Sequence, residues 1–312
     1  MSQNDKYREI YNKEIIGRGR SIVFSYEPFS DKFIFVPFSH NVGETAVEDL
    51  GKLMRYNLLF YAFGENEVVR YYEDDTFSTL QESAKYAFKQ RLPDRSEIND
   101  GLPSEALLDL LIQMNTPNAY KLAVRTLFRQ NDNNEIKGYD STYFTRDEKG
   151  FSLWLGQAKL GEETYCKNSI HKDLLDKFKD VYLSKQLFFV CDKPVELTDD
   201  AKQILRVINR LNIVSLGEDE KTRAKKLIEC LNSEKIKIKI PCLLAYDKND
   251  VYENASELCK KVILEAEAIR NYYQKHIYVF DGFNPEIIFY VFPIESIKRL
   301  RDKEKGFYAG LC

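Results

Sequence analysis

The stretch Gly138-Tyr-Asp-Ser-Thr-Tyr-Phe-Thr-Arg-Asp-Glu-Lys-Gly-Phe-Ser-Leu-Trp-Leu-Gly-Gln-Ala-Lys159 reads as two strands and a tight connection. Thr142, Tyr143 and Phe144 suit a pleated strand, and Phe151-Ser-Leu-Trp-Leu155 is an almost continuous apolar run, as expected of a strand covered on both faces. Between them Arg146-Asp-Glu-Lys-Gly150 is polar and ends in glycine, which predicts a hairpin. The second strand closes on Gly156-Gln157-Ala158-Lys159 rather than on apolar residues. Side chains alternate along a strand, so Gln157 and Lys159 point the same way. A covered strand that ends in an amide and an ammonium on one face needs a reason, and catalysis is one.

Outward from the hairpin, Pro103 and Ser104 open a helix with the apolar stripe Leu107, Leu108, Leu111 and Ile112, stopped by Pro117. Glu105 falls in its first turn, where the helix dipole alone would account for an acid. Tyr120–Phe128 alternates as a strand leading into a polar turn. After the hairpin the pattern predicts a helix over Ser169–Tyr182, a buried strand at Gln186–Val190, and helices over Asp199–Leu211 and Glu218–Leu231. A strand over Lys235–Tyr246, a long helix over Val251–Gln274, a core strand at Glu286–Phe292 and a closing helix over Ile294–Lys305 complete the chain. Residues 1–95 read as a smaller α/β unit without a chemical motif, a partner-binding or framing domain joined by the polar linker Leu92–Gly101. It has strands at Ser21–Ser25 and Lys32–Val36, a helix with Val47, Leu50, Leu53 and Met54 on one face, an aromatic segment broken near Gly64, and a helix over Thr79–Arg91. The expected fold is α/β, with a mixed central sheet flanked by helices over residues 96–312.

With 312 residues and a net charge of −3, the chain has no global basic excess, so nucleic-acid contact would come from a local patch. The six cysteines form no Cys-x-x-Cys pair and no zinc-like spacing with His40, His171 and His276. The polar start MSQNDKYREI lacks the features of a signal peptide, and no run of about 18 apolar residues could span a membrane. The expectation is a reduced, cytoplasmic protein that does not engage a membrane. No Gly-x-x-x-x-Gly-Lys-[Ser/Thr] phosphate loop is present, which disfavours an ATPase.

Phosphodiester hydrolysis needs a metal held by oxygen ligands, a water it can activate and a cation near developing charge. Magnesium, or manganese in its place, suits such ligands. Asp140 would be the main carboxylate ligand, with further oxygens from the Gln157 side chain and the Ala158 backbone carbonyl. Lys159 would orient the attacking water or offset charge, and Glu105 would complete the acidic side. Each residue also has a plain structural reading. Asp140 can cap a strand end, Gln157 and Lys159 can mark where the strand meets solvent, Glu162 and Glu163 can be loop acids, and His171 can sit on an exposed helix face. It is the joint arrangement that favours catalysis. For DNA contact, Lys121, Arg125 and Arg129 recur every four residues near the proposed site. A second basic group, Lys221, Arg223, Lys225, Lys226, Lys235, Lys237 and Lys239, is interspersed with acids and reads as a solvated helix and an edge strand.

Asp140 followed by Gln157-x-Lys159 on the next strand, after a helix bearing Glu105, resembles the PD-(D/E)xK nuclease superfamily. The usual third position is acidic; Gln stands there in this chain, as in the branch resembling Mrr-type restriction enzymes, and one negative charge is missing from the metal site. A closer resemblance covers most of the chain. Pro103-Ser-Glu-Ala-Leu107, Gly138-Tyr-Asp140, Leu155-Gly-Gln-Ala-Lys159 and Ile287-Ile-Phe-Tyr-Val-Phe-Pro-Ile-Glu-Ser-Ile-Lys298 look like the HamA-type nuclease subunit of Hachiman anti-phage defence systems. That resemblance implies a metal-dependent DNA nuclease in a hetero-oligomer with a superfamily 2 helicase, restrained until the helicase engages DNA. The alternatives are a non-catalytic adaptor with a degenerate nuclease fold and a standalone modification-dependent restriction enzyme. The latter is disfavoured by the lack of a base-reading pocket in the N-terminal unit.

Overall fold

The computed structural model describes residues 3–92, 101–124, 138–148, 150–191 and 199–311. In the first part, α1 (Gln3–Tyr11) runs through a π-helical turn into α2 (Gly17–Gly19), followed by β1 (Val23–Ser25), β2 (Phe29–Ser30) and β3 (Ile34–His40). Then come α3 (Ala46–Tyr56), α4 (Leu58–Ala62), α5 (Glu65–Glu73) and α6 (Leu80–Arg91). The central part is α7 (Leu102–Asn115), β4 (Tyr120–Lys121), β5 (Ser141–Asp147), β6 (Gly150–Gly161) and α8 (Glu163–Asp176). The remainder is α9 (Asp180–Cys191), α10 (Asp199–Val214), α11 (Glu220–Ser233), β7 (Lys237–Asp247), α12 (Leu258–Tyr273), β8 (Glu286–Ile294) and α13 (Ile297–Leu300).

The strands form one mixed, curled sheet in the order β1-β3-β8-β7-β6-β5-β4, with β2 also paired to β3. Its middle, from β3 through β8 and β7 to β6, is parallel, and the hairpin β5/β6 and the short β4 are antiparallel. Parallel strands need helices on both faces, and their sequences reflect it. Along β8, Ile288, Tyr290 and Phe292 face one core, while Ile287, Phe289 and Val291 face the other. The first core is covered by α1 and α3–α7, the second by α8–α12. Within the described residues, β3 pairs in parallel with β8, and the first core draws side chains from both sides of residue 95.

The helix α7 lies against the hairpin because of one glycine. A Cβ on Gly156 would collide with Ser141 Oγ and come within 2.8 Å of Leu108 Cδ2. Only glycine lets the helix approach this closely.

Some sequence expectations need correction. Gln186–Val190 is helical, part of α9, with Leu183 and Leu187 one turn apart in the second core; a short apolar run has no periodicity to separate strand from helix. The helix expected over Ser169–Tyr182 ends at Asp176 and restarts at Asp180, and that expected from Val251 begins as α-helix at Leu258. The closing helix is confined to Ile297–Leu300. The strand over Lys235–Tyr246 is not an edge. It lies between β6 and β8, and Lys239 is accommodated by Glu286 at 3.0 Å and by the Trp154 ring 5.0 Å away.

Candidate functional site

The ladder between β5 and β6 stops at Ser141 opposite Gly156, whereas the ladder between β6 and β7 continues to Gly161 opposite Tyr246. The last turn of β6 therefore has an edge that β5 leaves uncovered. A cleft of about 700 Å³ opens there, lined by Gly101, Ser104 and Glu105 of the α7 entry, Asp140, Ala158 to Glu162, Tyr165 and Arg301.

Asp140 sits where the chain enters β5. Its backbone N–H donates to Gly156 O at 2.9 Å, and its Oδ2 accepts from Ala158 N at 2.8 Å. The carboxylate thus substitutes for the ladder bond that β5 no longer supplies. Glu105 reaches the same cleft from the first turn of α7, and Tyr61 of α4 donates its hydroxyl to Glu105 Oε2 at 2.5 Å. Both acids are nearly buried, at 8% and 5% exposure.

Lys159 also lines the cleft, and its ammonium meets Asp173 Oδ2 at 2.8 Å. Burial pulls its pKa down, but the carboxylates of Asp140 and Asp173 act more strongly in the other direction, and the pKa is raised from the usual lysine value. It is a fixed positive charge across the neutral range.

Gln157 lies elsewhere. It does share the α8-facing side of β6 with Lys159, as the alternation required, but it is fully buried and absent from the cleft wall. Its Oε1 accepts from Lys177 Nζ at 2.5 Å and its Nε2 donates to Gly156 O at 2.8 Å. Lys177 also lies 3.2 Å from Asp173 Oδ2. The carbonyl expected to face a metal is committed to a lysine that the sequence motif does not contain. Glu105, Asp140, Ala158 and Lys159 are brought together at one cleft; Gln157 stands behind it. Among the described residues, no group of three or more His, Cys, Asp or Glu side chains is placed to hold a metal ion.

Of the cations expected to face DNA, Arg125 and Arg129 lie outside the described residues. Lys121 is 2% exposed. Its ammonium donates to the carbonyls of Phe60, Tyr61 and Phe63, at 3.0 Å for Tyr61 and 3.2 Å for Phe63, closing the C-terminal end of α4. Burial lowers its pKa, opposed by Asp109 and Glu65. Its place is structural: it anchors the helix that carries Tyr61, which in turn holds Glu105. His171 pairs with Tyr278 OH at 2.8 Å, its ring is tilted against that of His276 with centroids 4.1 Å apart, and it is not part of the cleft lining. Glu162 does line the cleft, whereas Glu163 is tied to Lys167 at 2.7 Å. Tyr61, Tyr165, Asp173, Lys177 and Arg301 carried no signal in the sequence, since each acts through a contact that only the fold creates.

A family model described as HamA matches residues 20–311, nearly the whole chain. No curated protein matches it. No helix among the described residues is long and apolar enough to cross a membrane.

Proposed function

This chain belongs to the HamA family, the Hachiman defence-system protein, and from that premise we propose that it is a metal-dependent DNA nuclease working with a superfamily 2 helicase in an anti-phage complex. The observation that carries this reading is the convergence of Glu105, Asp140 and Lys159 on one open cleft at the end of β6.

The donor set fits magnesium. The ion takes one or two carboxylates and keeps several waters and substrate oxygens, and two carboxylates in a roomy cleft match that demand. Glu105 and Asp140 would hold it. A strand residue sends its N–H and C=O to the same edge, so the Ala158 carbonyl joins its N–H on the edge facing Asp140 and is a third oxygen donor. When bound, the metal supplies Lewis acidity at the phosphate and a more acidic water. Lys159 Nζ keeps its proton, held by Asp140 and Asp173, and offsets negative charge developing on the phosphate oxygens. Gln157 acts as a positioning residue: clamped by Lys177, it fixes the strand on which Ala158 and Lys159 stand.

A non-catalytic adaptor is the second reading, favoured by the engagement of Gln157 with Lys177 rather than with the cleft. Plasmid degradation with Mg²⁺, ATP and the helicase subunit separates the two. Native protein should degrade plasmid, and Asp140→Ala and Lys159→Ala should not. Equal degradation by all three would remove the site assignment, and no degradation by any, with helicase binding retained, would establish the adaptor.

A further inference from the structure

Two arginines lie at the end of α13, Arg299 within it and Arg301 just after it. Arg299 is bound by carboxylates on both sides: Glu48 Oε1 at 2.9 Å, Glu48 Oε2 at 2.7 Å and Glu295 Oε1 at 3.0 Å. Arg301 stands in the wall of the cleft, with Ser104, Glu105, Asp140, Lys159 and Tyr165.

The backbone that delivers Arg301 is anchored on every side. Asp247 Oδ1 accepts from Ile297 N at 2.6 Å, Ser296 Oγ caps the helix by accepting from Arg299 N at 3.2 Å, and Arg301 N donates to Ile297 O at 2.9 Å. Just beyond, Phe307 N donates to Leu300 O at 2.7 Å, Arg55 Nη1 donates to Gly306 O at 2.6 Å, and Leu300 and Phe307 are fully buried. Arg301 is therefore held in the cleft wall by a fixed segment rather than by a loose tail. It lines a cleft whose acids are suited to a cation and whose other wall begins with the first turn of α7, where backbone N–H groups carry partial positive charge. A phosphodiester brings the complementary charge, and the planar fork of arginine matches two phosphate oxygens.

We infer that Arg301 binds a phosphate of the DNA backbone in this cleft, beside the scissile group. The inference rests on the nuclease reading and adds to it a substrate contact outside the Asp…Gln-x-Lys motif.

The test is binding of a labelled 20-base-pair duplex by the purified chain with calcium replacing magnesium, measured across a salt series for the native protein, Arg301→Ala, Arg301→Lys and Arg299→Ala. Arg301→Ala should weaken binding roughly tenfold and lower the slope of log affinity against log salt by about 0.9, the value for one phosphate contact. Arg301→Lys, which keeps the charge, should retain most of the slope, and thermal melting should place both variants within reach of the native fold. Arg299→Ala should lower the melting temperature and leave the slope unchanged. Native and Arg301→Ala proteins with the same affinity and slope would overturn the inference while leaving the nuclease reading intact. No duplex binding by the native chain would overturn the inference, and plasmid degradation with the helicase subunit decides the nuclease reading separately. Should Arg301→Ala fail to fold, an Arg301→Lys protein with native stability and a slope reduced as far as that of Arg301→Gln would also contradict it.

Discussion

The last turn of β6 has two sides that hold similar chemical groups in opposite ways. On the α8-facing side, the buried Gln157 and the half-buried Lys159, Asp173 and Lys177 pair with one another. On the edge facing α7, Asp140 accepts from Ala158 N, Glu105 accepts from Tyr61, and both line an open cleft. The same contrast recurs along α7, where Asp109, one turn after Glu105, accepts from Tyr143, from Asn57 at 2.8 Å and from Gln113 at 2.9 Å. A polar group whose partners are complete holds structure together, because removing one partner leaves a buried group unsatisfied. A carboxylate that lines an open cleft is placed to meet a ligand. We therefore propose Asp140 and Glu105, which line the cleft, as the ligand-facing groups, and the buried Gln157 as part of the scaffold.

The contrast breaks first at Asp140. Asp140→Ala should lower plasmid degradation on the order of a thousandfold, the scale of losing a principal electrostatic group, with a much smaller change in melting temperature; degradation rates with helicase and ATP measure it.

Next comes His40, a sealed group distant from the cleft. It is fully buried, stacked 4.0 Å from the Tyr252 ring, with Nδ1 donating to Asn41 O at 2.7 Å and Nε2 accepting from Glu295 N at 3.1 Å. This network needs the neutral ring, and burial lowers the pKa to about 4. The unfolded chain takes up a proton near pH 6.5 that the native chain refuses, so this contribution to stability is complete above that pH. It is lost as pH falls toward about 4, to a total of roughly 3 kcal/mol. Denaturant midpoints at pH 7 and pH 4.5 should differ more for the native protein than for His40→Gln.

Lys177→Ala should cost about 2 kcal/mol of stability, the scale of a charge-assisted bond to a buried carbonyl. In urea titrations it should also unfold at lower denaturant, and metal affinity should change less than stability does. The smallest effect is expected from Tyr61→Phe, which removes the hydroxyl holding Glu105: roughly tenfold weaker metal binding, the lower end for a group that orients a ligand, with a near-native melting temperature.

How far the sequence could be read follows from the range of the signals. The hairpin was legible because alternation and the Gly150 turn are local, and the shared face of Gln157 and Lys159 follows from strand geometry alone. Glu105 was legible as a first-turn acid; that it lines the same cleft as Asp140 follows from the packing of α7 on the hairpin near Gly156, and nothing near Gly156 announces the helix. Lys121 misled because four-residue spacing of cations looks like an exposed stripe, while its burial is set by the carbonyls at the end of α4. The partner of Gln157 was illegible for a related reason: a motif names the residue but not the partner, and Lys177 arrives from the far end of α8. Arg301 comes from the end of the chain, beyond the reach of any local pattern.

We propose that Glu105 and Asp140, not Gln157, hold the metal. Titration of Mn²⁺ into the metal-free protein, followed by the loss of its free electron-spin signal, tests this directly. Glu105→Gln and Asp140→Asn should each abolish or strongly weaken binding, while Gln157→Leu, folded by circular dichroism, should bind within a few-fold of native. Loss of binding in a folded Gln157→Leu protein, with binding kept in Asp140→Asn, would contradict it.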